Sequence, residues 1–120
     1  MRAETIDQAI RDLVSVYGDG VRTAREGSRT LVRVSDLDLP PGCRPPTTLM
    51  LIVFDPDQPK PIPYVQPGQL LANGRAPRST STQIVGGESW MQFSFNIPWA
   101  EGQSIIRFVT AARQRFAQND

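Results

Sequence analysis

The chain of 120 residues contains no histidine, one cysteine and one lysine, and these scarcities restrict its chemistry before any pattern is read. Without an imidazole there is no Ser-His or Cys-His activation of a nucleophile, no ordinary acid–base group tuned near neutral pH, and little means of holding zinc. Cys43 stands alone and has no intrachain disulfide partner. The longest unbroken apolar run, LMLIVF at 49–54, falls far short of the ~20 residues that cross a bilayer, and the N-terminal Met-Arg-Ala-Glu opens no apolar signal core. A formal net charge of +1 gives no basic surface for nucleic acid. The expectation is a single domain over 1–120, cytoplasmic, with no membrane, nucleic acid, metal or cofactor in its chemistry. The 39% apolar and 21% charged content lies near globular averages, so the chain is expected to fold rather than remain disordered.

What is present is a clear sequence of periodicities. Ile6, Ala9, Ile10, Leu13, Val14 and Tyr17 recur at three- and four-residue steps and predict a helix over 5–17, with Thr5 and Gln8 as a capping box and Gly18 and Gly20 ending it. Two β-branched stretches, 21–25 and 29–34, flank Glu26-Gly27-Ser28 and predict a hairpin with one wet face. A loop with four prolines follows over 37–46, then TTLMLIVF at 47–54, apolar enough to be the sheet's central strand, covered on both faces. Five prolines between 55 and 67 predict a stiff surface segment that is neither helix nor central strand. Tyr64-Val65 and Leu70-Leu71 suggest a short irregular fourth strand ending at Asn73-Gly74, and 75–88 reads as a long polar loop with Gly86-Gly87 lending mobility. Residues 90–97 alternate as an extended segment, with Met91, Phe93, Phe95 and Ile97 opposite Trp90, Gln92, Ser94 and Asn96. After Pro98-Trp99, the apolar spacing of Ile105, Phe108, Val109, Ala112 and Phe116 predicts a second helix from about 102 to 117. The fold class is α+β, with helices packed on one antiparallel sheet.

The order of these elements, together with FDPDQPKPIPYVQP at 54–67 and the Pro98-Trp99 pair before the last helix, resembles the ubiquitin-conjugating-enzyme fold. In that fold an N-terminal helix precedes an antiparallel four-strand meander, a proline-rich loop, an active-site loop and a C-terminal helix. YVQPGQLLANGRAP at 64–77, SWMQFSF at 89–95 and the W-x-x-G-x-x-I-x-x-F run from Trp99 are similar to a prokaryotic branch of that superfamily. The resemblance implies a place in a bacterial ubiquitin-like conjugation system, with a ubiquitin-like protein and an adenylating activating enzyme as partners. The family's loop carries His-Pro-Asn and then a thioester cysteine, whereas residues 73–89 here contain neither histidine nor cysteine. No other side chain serves as a thiolate does, as both nucleophile and leaving group near neutral pH.

The candidate sites follow from that departure. Cys43 lies in a loop expected at the same end of the meander as the active-site loop; set against catalysis, no base stands beside it, and a lone cysteine is often incidental. Ser79, Thr80 and Ser81, with Thr82, form a hydroxyl run in the expected active-site loop; an oxyester there needs a base, for which Glu88 is the nearest candidate, and a plain polar loop is the competing reading. Pro61, Pro63 and Tyr64 suggest a rigid recognition edge or a scaffold turn. Trp90, on the more polar side of its segment, is the aromatic candidate for a partner contact, whereas Trp99 reads as a plug fixing the last helix. The lysine shortage fits a protein that would otherwise acylate its own amines. The resulting expectation is a conjugation component, either a non-standard carrier through Cys43 or a 79–82 hydroxyl, or an inactive variant binding the activating enzyme or the modifier. The alternative is an interaction module of an unrelated assembly.

Overall fold

A computed structural model describes residues 1–77, 80–93, 97–100 and 102–117. Helix α1 (Ala3–Tyr17) leads through a 3-10 turn into strands β1 (Val21–Glu26), β2 (Arg29–Asp38), β3 (Thr47–Phe54), β4 (Ile62–Val65), β5 (Thr80–Val85) and β6 (Glu88–Phe93), and helix α2 (Ile105–Gln114) follows. The described strands form one antiparallel sheet in the order β1-β2-β3-β4-β6-β5. The α+β class therefore stands, while the four-strand meander is replaced by six strands.

The apolar stripe of α1 buries Ile6, Ala9 and Leu13. Its start differs from expectation: the helix begins at Ala3 with Arg2 at the N-cap and no side-chain cap, so Thr5 and Gln8 lie inside it. Gln8 instead donates to Asp12 and accepts from Arg11, an exposed polar chain along the helix. Helix α2 starts at Ile105, where the Ser104 hydroxyl accepts from the Ile106 amide, and a 3-10 turn (Arg115–Ala117) continues it. Both helices cover one face of the sheet, closing over Val32, Val34, Met50, Ile52, Phe54, Val65 and Met91.

β3 is indeed central, and Met50 through Phe54 are buried whichever face they point to. β2 runs on to Asp38, four residues past its expected end, through a bulge where Asp36 takes φ 57° and the register shifts between Val34 and Leu37. The bulge lets Leu37 turn back into the core although the strict alternation ends there.

Three expectations for the second half are corrected. Pro63 lies within β4, a strand bordered by both β3 and β6. The sheet accommodates it because the described β4–β6 register takes in only Tyr64 and Val65, leaving Pro63 beyond that pairing. Leu70 makes a single bridge to Arg44 rather than a strand, and Leu71 is buried next to it. The expected long loop over 75–88 contains β5, joined to β6 by a two-residue turn. Gly86 and Gly87 both have positive φ, 60° and 80°, and Val85 pairs with Glu88 across them. A Gly-Gly pair is a strong signal for such a tight hairpin as well as for mobility, and here the flanking β-branched residues decide for the hairpin.

Candidate functional site

The 40–46 turn, the 69–72 segment and the 3-10 turn Arg115–Ala117 weave together around Cys43. The Leu70 amide donates to the Arg44 carbonyl at 2.8 Å, and the Ala72 amide donates to the Phe116 carbonyl at 2.8 Å. Gly42, at φ 96°, passes so close to the Ala72 carbonyl that a Cβ there would collide with it. Cys43 sits behind this crossing with 4% of its surface exposed, and its thiol donates to the same Phe116 carbonyl at 3.6 Å. Burial pushes the thiol pKa up, so the reactive thiolate is disfavoured. The only thiol of the chain is thus packed as a small apolar side chain.

The hydroxyl run stands elsewhere, on edge strand β5, where Thr80, Ser81 and Thr82 are all exposed; Ser79 lies outside the described residues. The Ser81 hydroxyl accepts from the Gln83 side-chain Nε2 at 3.2 Å. Glu88, the base suggested by the sequence, is instead paired with the Arg33 guanidinium. Among the described residues, no group of three or more metal-ligating side chains gathers, and no helix is long and apolar enough to cross a membrane.

The sheet face away from the helices takes in two of the contact residues expected from the sequence, Tyr64 and Trp90, whereas Pro63, opposite Ile52 in the register, stands on the helix-covered side. Leu31, Leu51, Val53, Tyr64, Val85 and Trp90 form a second apolar cluster there, and Trp90 is only 2% exposed. Tyr64 and Pro61 are also buried, and Pro63 is half-buried, so the expected recognition edge is mostly covered. Over Tyr64 the cover is the β5–β6 hairpin, which contributes Val85 and Trp90 to the cluster. Although β5 and β1 are the two ends of the strand order, the hairpin tip meets the β1–β2 hairpin: the Gly86 amide donates to Glu26 Oε2 at 2.8 Å, and Gly86 lies against the Leu31 side chain. The sheet therefore rolls over on its outer side, enclosing Trp90.

No protein-family model, curated protein or solved structure matches this chain. Its chemistry has to be read from the contacts themselves, and those at the rolled edge are predominantly charged. Glu26 is bonded to Arg29 on one carboxylate oxygen and to the Gly86 amide on the other, and these two bonds hold its pKa below the usual carboxylate range, the arginine contributing most. Arg33 pairs with Glu88 and also lies over the Trp90 ring, 5.4 Å from its centroid. Beneath them, burial raises the Tyr64 phenol pKa, partly offset by Arg29. The Trp90 indole N–H is buried and finds no acceptor among the described residues. Glu26, Leu31 and Arg33 had no local signature in the sequence, because each acts across 55 to 60 residues.

Trp99 fills the role expected of it, with its ring edge-to-face against Phe108 of α2 at 5.8 Å between centroids. It borders a cleft of about 490 Å³ between α1 and the approach to α2, with Arg2, Thr5, Gln8, Gln103 and Ser104 on its walls. Chemically, the described residues offer binding surfaces and a latched hairpin, and no assembled nucleophile–base pair.

Proposed function

We propose that this protein is a non-catalytic binding component of a bacterial, cytoplasmic ubiquitin-like conjugation system, holding the modifier or the adenylating activating enzyme. The observation that carries the binding role is the enclosure of Cys43. A thiol that is buried, hydrogen-bonded to a carbonyl and raised in pKa is a poor acyl acceptor. Among the described residues, the exposed hydroxyls of Thr80, Ser81 and Thr82 have no assembled base, Glu88 being paired with Arg33, which argues against an oxyester on any of the three. The conjugation context itself rests on the sequence resemblance. Tyr64, and Trp90 on the hairpin itself, serve as contacts in this reading only when the β5–β6 hairpin opens.

The test is intact-mass analysis of the chain after incubation with ATP, an activating enzyme and its ubiquitin-like protein, alongside sedimentation of the mixture. A stable complex without covalent adduct is expected. A thiol-labile adduct that disappears in Cys43→Ala would overturn the binding reading in favour of a carrier.

A second reading, an interaction module of an unrelated assembly, is favoured by one observation. The chain forms an ordered hairpin, β5–β6, in the region where the resemblance places an active-site loop. Absence of any complex with either partner in the same experiment selects this reading.

A further inference from the structure

The two edges of the sheet differ in a way that bears on assembly. β1, Val21–Glu26, carries Arg22, Arg25 and Glu26 in its six residues. Charged side chains of this kind are the usual protection of a sheet edge against pairing with another chain. β5, at the other edge, reads TSTQIV, without a charge, a proline or a glycine, and with three β-branched residues besides the buried Val85. Its first five residues are exposed, and Ile84 is 68% exposed, the largest exposure of any bulky apolar side chain in the protein among the described residues. On one side β5 pairs with β6 through all six residues, and among the described residues no strand takes its outer side.

We propose that β5 is a self-association site, pairing antiparallel with β5 of a second copy so that the two sheets become one. Charge selects the occupant. A strand with no side-chain charge is matched by an equally uncharged strand, and of the two edges this chain presents, β5 alone has that character. A twofold axis perpendicular to the sheet keeps corresponding faces together. Centred on Thr82, it sets Thr82 opposite its counterpart and Ile84 opposite Thr80 of the second copy, a β-branched pairing that removes the exposed Ile84 from water. Because the contact is isologous, it closes at two copies, leaving the charged β1 strands at the outer ends.

A six-residue strand spans ~20 Å, so the interface belongs to the small class and the equilibrium is a weak one, with a midpoint on the order of tens of micromolar. Sedimentation velocity of the full chain from about 5 to about 500 µM is the experiment, across a range that brackets such a midpoint. The expected result is a shift from monomer to dimer with rising concentration. In Thr82→Lys the shift moves up by more than about tenfold, as a charge on an edge strand opposes pairing, while Thr23→Lys on β1 leaves it unchanged. Hydrogen exchange keeps the test independent of any damage to the hairpin: in the unaltered protein, amides of 80–85 become slower to exchange at high concentration and those of 21–26 do not. A monomer across the whole range overturns the proposal. So does a dimer equally sensitive to Thr23→Lys, or a mass that grows past two copies as head-to-tail pairing of β5 on β1 would produce.

Discussion

The two faces of the sheet are closed by different means. On one, α1 and α2 lay continuous apolar stripes over Val32, Met50, Ile52 and Phe54, and nearly every contact is aliphatic or aromatic. On the other, a smaller cluster around Trp90 is shut by a hairpin whose tip is held by Glu26, Arg33 and a backbone amide. The first closure depends on buried area, which salt hardly touches. The second adds rim contacts between exposed charges, which salt screens and which each contribute little to stability. The outer closure is therefore the one expected to open first, and local opening in proteins is drawn from such regions.

Substitutions can break that contrast. The largest effect is expected for Phe108→Ala, which empties the helix-covered core and removes the ring on which Trp99 rests; a loss of about 3–5 kcal/mol in denaturant-unfolding stability is expected, with all regions losing protection together. Trp90→Ala removes a comparable volume from the outer face, at a cost of about 3 kcal/mol. Its signature is regional: amide exchange in 80–93 accelerates well beyond that in α1 and β3. Equal acceleration in both regions would show that the two faces are one cooperative unit. Gly86→Ala comes next, since it adds strain at φ 60° and a Cβ 3.1 Å from Leu31; a loss of about 1–2 kcal/mol is expected, again read in the hairpin first.

The smallest effect concerns pH. The Glu26 carboxyl has a folded-state pKa depressed by Arg29 and the Gly86 amide, so it stabilises the closed hairpin at pH values above its unfolded pKa. That contribution fades as the pH falls through the depressed folded value, where the carboxylate becomes protonated. Exchange at the Gly86 amide, corrected for intrinsic rate, should quicken over that acidic interval, and Glu26→Gln should flatten the dependence. A profile unchanged by the substitution would remove Glu26 from the latch.

The same contrast separates what could be read in the sequence from what could not. The helix-covered face was legible because its signals are local: the stripe from Ile6 to Tyr17, the spacing from Ile105 to Phe116 and the run TTLMLIVF each announce their element within one or two turns or a single strand. The parity of Trp90 and Met91 was legible too, as they do fall on opposite faces. What alternation cannot tell is whether the face opposite the helices is wet, since that depends on where a hairpin tip lands 60 residues away. Gly86-Gly87 was consistent with either a mobile loop or a tight turn, and the extra strands hung on that choice. The surroundings of Cys43 were equally hidden, because the carbonyl that receives its thiol belongs to Phe116, 73 residues on.

That last contact gives the protein a chemical clock of its own. Alkylation of the lone thiol requires the Phe116 turn to lift away from the 40–46 and 69–72 crossings, so in native conditions the labelling rate counts those excursions. Divided by the rate for the same thiol in denaturant, it yields the free energy of one local opening at the far end of the molecule from the β5–β6 tip. No reporter group need be introduced.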